Sequence, residues 1–142
     1  MSADSTQTWL KVAAAVTIGF GLLIFLAAYP ATAGVTTFLT DLIIWPIDSA
    51  QTLASPEARM LCAIIGGVMA GWGLMIWLIA TRLYPREPAL ARMLILTSIS
   101  TWFVIDSIGS LLAGAPLNAL FNVGFLLLFV IPLRHAPRRA AA

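Results

Sequence analysis

The chain has 142 residues, of which 61% are hydrophobic and only 10% are charged, and its mean hydropathy is +0.97. Soluble domains are about 45–50% apolar and about 25% charged, so this composition predicts an integral membrane protein. The net charge of +2 comes from basic residues beside apolar runs, a pattern that reflects membrane orientation and excludes nucleic-acid binding. One cysteine, Cys62, and one histidine, His135, exclude an internal disulfide, a CxxC redox centre and a Cys/His zinc cluster.

Four apolar segments are long enough to cross a bilayer core of about 30 Å. We predict them at residues 9–29, 57–84, 89–113 and 117–133, in a single transmembrane domain that covers residues 1–142. The first run is followed by AYPATAG at 28–34, whose Ala-x-Ala pattern also suits a cleavable signal peptide. The length of the run favours a retained first helix, because the apolar part of a signal peptide is about 7–15 residues long.

A shorter apolar segment at residues 35–47 lies between the first two spans and carries Asp41 and Trp45. Its apolar side chains form a broad stripe at helical spacing, which predicts an amphipathic helix too short to span the bilayer. Such a helix lies at the interface or re-enters the membrane, and the sequence leaves both arrangements open. The predicted fold is therefore an all-α, four-helix membrane bundle with one short additional helix.

The basic residues near the span ends predict the orientation of the chain. Arg59 stands alone on one side, and seven basic residues fall on the other: Lys11, Arg82, Arg86, Arg92, Arg134, Arg138 and Arg139. The positive-inside rule then places both termini in the cytoplasm, and we expect a multi-pass protein of the bacterial inner membrane.

The third span contains one acid, Asp106, with no Lys or Arg within ten residues on either side. The tight turn Gly114-Ala115-Pro116 predicts that spans three and four are antiparallel neighbours, which brings Asn118 and Asn122 to its depth. With Ser110 and Asp41, these residues are the candidate ligand or proton site. A hydrogen-bond network that only pairs two helices is the alternative.

The second span contains small residues at four-residue spacing, which lets helix backbones approach closely. Ala63, Gly67 and Gly71 form one ladder, and Gly66 and Ala70 form another. Packing against Ala13, Thr17 and Gly21 of the first span is favoured over a dimer interface.

Tryptophans occur both near the span ends and inside the spans. Trp9 and Trp45 are interpreted as interfacial belt residues. Three other tryptophans lie within spans. Together with methionines they line a pocket for a flat lipophilic molecule, fill gaps in the core or face lipid: Trp72, Trp77, Trp102, Met60, Met69 and Met75.

Residues 55–88, SPEARMLCAIIGGVMAGWGLMIWLIATRLYPREP, and residues 103–122, FVIDSIGSLLAGAPLNALFN, resemble small, uncharacterised four-helix bacterial inner-membrane proteins. In architecture alone the chain is similar to the DoxX-like and sterol-binding EXPERA groups, and the resemblance implies a four-helix fold without known chemistry.

No catalytic constellation is recognisable in the sequence, so we expect a protein that is not an enzyme and needs no cofactor. The leading hypothesis is an accessory or assembly subunit, or a binder of a lipophilic molecule. The alternative is a small homo-oligomeric transporter or proton-linked carrier centred on Asp106. The expected partners are membrane lipid, a second copy of the chain or another membrane protein.

Overall fold

The structure, a computed structural model, describes residues 2–134, so His135, Arg138 and Arg139 of the predicted basic tail lie outside the described residues. Residues 2–134 form helices and no strand. The helices are α1 (Ala3–Leu26), α2 (Gly34–Ile43), α3 (Pro56–Leu78), α4 (Pro88–Leu112) and α5 (Pro116–Leu133), with a 3-10 turn at Pro30–Thr32 and a π-helical turn at Ile79–Leu83. Four of them are long and apolar enough to cross a membrane, which confirms the predicted all-α, multi-pass bundle.

The first helix begins six residues earlier than the predicted boundary at residue 9. Ser2 caps it, because its hydroxyl accepts a hydrogen bond of 3.2 Å from the backbone N–H of Ser5, and Asp4 in the first turn complements the helix dipole. The helix ends at Leu26 rather than at residue 29. Tyr29 is extended, as a residue that precedes a proline usually is.

The other three spans agree with the predicted boundaries to within one residue when the π-helical turn at Ile79–Leu83 is counted with α3. The short helix is shorter than the predicted segment 35–47, since α2 ends at Ile43. Pro46 explains this end, because the residue before a proline is restricted away from helical backbone angles.

The bundle consists of two helix pairs, with α1 packed most extensively on α3 and α4 packed on α5. We call one end the basic end; it holds the start of α1, the α3–α4 turn and the end of α5. The opposite end, the α2 end, holds α2, residues 44–55 and the α4–α5 turn. The largest side chains that are fully buried lie towards the basic end, where the two pairs meet: Leu10, Ile76, Ile95, Ile99, Phe129 and Leu133.

The contact between α1 and α3 uses Gly66 and Gly73, with Gly21 on the facing helix. A Cβ atom added at Gly66 would lie 2.5 Å from the backbone N of Phe25 and 2.6 Å from the carbonyl oxygen of Gly21. The predicted ladder of Ala63, Gly67 and Gly71 is therefore wrong for packing within the chain. Gly67 and Gly71 are exposed, and an added Cβ would meet nothing within 4 Å, because these residues lie on another face of α3.

At the basic end, three side chains connect helices by donating hydrogen bonds to main-chain carbonyls of other helices. Gln7 Nε2 donates to Ala80 O at 3.0 Å in the π-helical turn, and Arg92 Nε donates to Leu133 O at 2.8 Å. The Trp9 indole donates to Leu128 O at 2.8 Å. Pro132 has no N–H for this carbonyl four residues before it, so Trp9 supplies the missing donor, beyond its predicted place in the interfacial belt.

Candidate functional site

A polar cluster joins α4 and α5 inside the membrane-spanning part of the bundle. Asn122 Nδ2 donates to Asp106 Oδ2 at 2.6 Å, and Asn118 Nδ2 donates to the same oxygen at 3.1 Å. Asn118 also donates to Ser110 Oγ at 2.8 Å, and Asn122 donates to Ser107 Oγ at 3.3 Å. Asn122 and Ser110 are buried, and Asp106 is half-buried.

The α4–α5 turn sets the register of this cluster. Gly114 adopts a left-handed φ of 76°, which a glycine tolerates without strain, and Ala115 N–H donates to Ser110 O at 2.9 Å. Asp106 then lies about 9 Å from the end of α4, and Asn122 lies at the same depth from the start of α5, at 1.5 Å per residue. Residues four apart share a helix face, so both amides reach the carboxylate.

The direction of these hydrogen bonds determines which amide atoms of the two asparagines are left to contact a ligand. A carboxylate only accepts hydrogen bonds, so each asparagine must turn its nitrogen towards Asp106. The two amide carbonyl oxygens consequently remain available as acceptors.

A cavity of about 380 Å³, which we call the central cavity, lies beside the cluster and is lined by all five helices. Its wall is apolar except for Asn118 and Asn122, and consists of Val16, Phe20, Leu39, Leu42, Ile43, Met69, Trp102, Asn118, Phe121, Asn122 and Phe125. Phe20 and Phe121 are also exposed on the outer surface, so the cavity opens towards the bilayer between α1 and α5.

A second cavity of about 510 Å³, the lateral cavity, lies between α3 and α4. Two lining residues, Val68 and Trp72, belong to α3. The others lie on one face of α4: Ser98, Thr101, Trp102, Ile105 and Asp106. Val68 and Ile105 are 69% and 67% exposed, so this cavity also opens to the outside of the bundle.

Trp102 and the hydrogen bond between Asp106 and Asn122 separate the two cavities. Trp102 lines both of them, whereas Asp106 lines the lateral cavity and Asn122 lines the central one. The indole of Trp102 also packs on its neighbours, with ring centroids 5.1 Å from Phe125 and 6.0 Å from Trp72. A fourth ring, Phe129, continues this aromatic layer at 5.6 Å from Phe125 and connects it to the packed core.

Asp41 does not join the cluster, although the sequence analysis grouped it with Asp106. Its side chain is 3% exposed and lines a separate pocket of about 200 Å³ against Thr37, Ser49 and Gln51. Its Oδ2 accepts a hydrogen bond of 3.1 Å from the backbone N–H of Ser49, so it fastens the loop after α2. The opposite face of α2 lines the central cavity, which explains the separation.

The structure thus brings together four of the five predicted site residues: Asp106, Asn118, Asn122 and Ser110. Of the tryptophans and methionines proposed for a pocket, Trp72, Trp102 and Met69 line the cavities, whereas Trp77, Met60 and Met75 are exposed on the outside. The sequence analysis missed the α2 wall of the central cavity, formed by Leu39, Leu42 and Ile43. Their apolar spacing was visible, but the sequence does not show which helix they face.

Comparison with known protein families, curated proteins and solved structures finds no match for the chain. The resemblance to DoxX-like and EXPERA groups therefore stays a prediction. Residues 2–134 contain no group of three or more His, Cys, Asp or Glu side chains placed to hold a metal ion.

Proposed function

We propose that this multi-pass membrane protein binds a lipophilic molecule between its helix pairs, on the α2 side of the aromatic layer. One observation carries the proposal: two mainly apolar cavities share a wall that contains a single polar cluster. Sites for small molecules are usually apolar clefts of about 300–1,000 Å³ with a few polar groups that orient the ligand.

The packing of the bundle supports the same conclusion. The large buried side chains hold the helices together towards the basic end, whereas the α2 end leaves open space between the pairs. Protein interiors are normally close-packed, and an apolar void loses dispersion contacts on its walls. A lipophilic ligand restores these contacts, and Asp106 with its two amides supplies the polar recognition.

The experiment is gentle extraction followed by native mass spectrometry, which identifies any molecule that stays bound. Filling the central cavity with Leu42→Trp, or the lateral cavity with Val68→Trp, should remove the retained mass. The matched control is Leu120→Trp, because Leu120 is 61% exposed on the outside of α5. A wild-type protein that carries no ligand, or variants that retain it as the wild type does, would refute the proposal.

Two other roles make different predictions in the same experiment. A stoichiometric foreign protein would favour an accessory or assembly subunit. The position of Asp106 in the wall of a cavity specifically favours a small homo-oligomeric, proton-linked carrier as the second candidate. In that case Asp106→Asn should abolish pH-dependent uptake by reconstituted vesicles, and unchanged uptake would exclude the carrier.

The orientation of the chain is part of the proposal. We place both termini in the cytoplasm of a bacterial cell and the α2 end at the outer face of the inner membrane, because the basic residues gather at the other end. A membrane-impermeant thiol reagent added to whole cells should label Ser49→Cys but not Arg86→Cys, both in a Cys62→Ala background. The reverse labelling would contradict this orientation.

A further inference from the structure

We propose that the lateral cavity binds a lipophilic cation, whose ammonium group pairs with Asp106. This inference rests on the proposed function and deepens it, because it assigns a charge to the ligand.

The hydrogen-bond partners of Asp106 are uncharged, and the basic end of the bundle is distant from it. The hydrogen bonds that reach Asp106 come from neutral amides, which orient the carboxyl group but bring no positive charge to it. The nearest basic residue before Asp106 in sequence is Arg92 and the nearest after it is Arg134, and both lie at the other end of α4 and α5. Arg92 is about 21 Å away along the helix at 1.5 Å per residue. Charged groups inside a membrane usually pair with a charge of opposite sign, so the ligand is the natural source of the positive charge.

The remaining wall of the lateral cavity consists of groups that suit a cation. Trp72 and Trp102 both line the lateral cavity, and the face of an indole attracts a cation within about 6 Å of the ring centroid. Ser98 Oγ donates to Ile95 O at 3.2 Å, and Thr101 Oγ1 donates to Thr97 O at 2.9 Å. Because these hydroxyl hydrogens are bound to backbone carbonyls, only the oxygen lone pairs are left for a ligand, and they suit the N–H groups of an ammonium.

The two indoles and Asp106 lie close together in the wall of the lateral cavity. The two indoles are tilted by 44° with centroids 6.0 Å apart, so they pack on each other and form one aromatic wall. Asp106 follows Trp102 by one helical turn on the same face of α4. A molecule with one ammonium group and an apolar body therefore contacts carboxylate and aromatic wall together, while Val68 and Ile105 surround its apolar part.

The test uses three probes with the same apolar cage and different charges: 1-adamantylammonium, neutral 1-adamantanol and anionic 1-adamantanecarboxylate. Their binding is measured by equilibrium dialysis against the full chain in lipid nanodiscs, with empty nanodiscs as the blank. The wild type should bind the ammonium about tenfold more tightly than the alcohol, with the carboxylate weakest, as one well-formed charge contact predicts.

Variants identify the groups responsible. Asp106→Asn should lower the affinity for the ammonium about tenfold more than the affinity for the alcohol, and the alcohol binding that remains shows that the variant folds. Asp41→Asn is the matched control, since that carboxylate lines a separate pocket. Trp72→Leu should also weaken the ammonium selectively, whereas Trp77→Leu, an exposed residue of the same helix, should not.

The outcomes separate this inference from the proposed function. Equal affinities for ammonium and alcohol, or an unchanged ammonium affinity in Asp106→Asn, would overturn the inference. If, in that case, Val68→Trp abolishes binding of both the ammonium and the alcohol, the protein binds lipophilic molecules in the lateral cavity without preferring a cation. If no probe binds and the extracted protein retains no ligand, both the inference and the proposed function are wrong.

Discussion

Replacing Gly66 with alanine tests the contact between α1 and α3, on which the first helix pair depends. The added Cβ would approach three backbone atoms of α1 at 2.5–2.7 Å, and backbone atoms cannot turn aside as a flexible side chain can. The helices must separate by about 0.8 Å to restore ordinary contact near 3.4 Å. Gly67→Ala is the matched control one residue away, because its Cβ would meet nothing within 4 Å.

The magnitude follows from two opposing effects. Overpacking a tight contact typically costs about 1–3 kcal/mol. Alanine in place of a helical glycine gains about 1 kcal/mol in helix propensity. Gly66→Ala should therefore lower the free energy of unfolding by up to about 2 kcal/mol, whereas Gly67→Ala should leave it unchanged or raise it by up to about 1 kcal/mol.

The assay is unfolding of the purified protein in a mild detergent by added sodium dodecyl sulfate, followed by tryptophan fluorescence. The midpoint should fall for Gly66→Ala and not for Gly67→Ala. If Gly67→Ala is the more destabilising variant, α3 presents its Ala63, Gly67 and Gly71 face to α1, as the sequence spacing suggested, and the packing described above is wrong.

Two further predictions concern individual hydrogen bonds. Trp9→Phe should cost about 0.5–1.5 kcal/mol of stability, because it removes the donor to Leu128 O. Most of that cost should disappear in a Pro132→Ala background, where residue 132 has a backbone N–H again. Equal costs of Trp9→Phe with Pro132 and with Ala at position 132, measured by the same titration, would show that the proline is irrelevant. Asn122→Leu should cost about 1–2 kcal/mol, because it removes the closer of the two amide donors from Asp106. The cost should vanish in an Asp106→Leu background, and an additive double variant would contradict the coupling.

The sequence predicted the parts of the fold that depend on local pattern. Apolar length located four spans to within six residues, and the tight turn before Pro116 correctly predicted that Asn118 and Asn122 lie opposite Asp106. These inferences need only helix periodicity and one antiparallel neighbour pair.

The predictions that were wrong depend on how each helix is rotated about its own axis. Gly66 and Gly67 are adjacent small residues, and only the approach of Gly21 from α1 decides which of them is buried. In the same way, α2 turns Leu42 towards the central cavity and Asp41 away from it, so two residues next to each other line different pockets. Spacing within one helix cannot determine this rotation, because several faces of a membrane helix are apolar.

We propose that a lipophilic molecule occupies the space between the helix pairs rather than the outer surface of the bundle. The most direct measurement is photolabelling of the protein in nanodiscs with a diazirine derivative of adamantylamine, followed by mass mapping of the labelled residues. We expect label at Trp72, Trp102 and Asp106 in the wall of the lateral cavity, and its loss when unlabelled 1-adamantylammonium competes. Label spread over outward-facing side chains such as Val12 and Leu74, without competition, would contradict the claim.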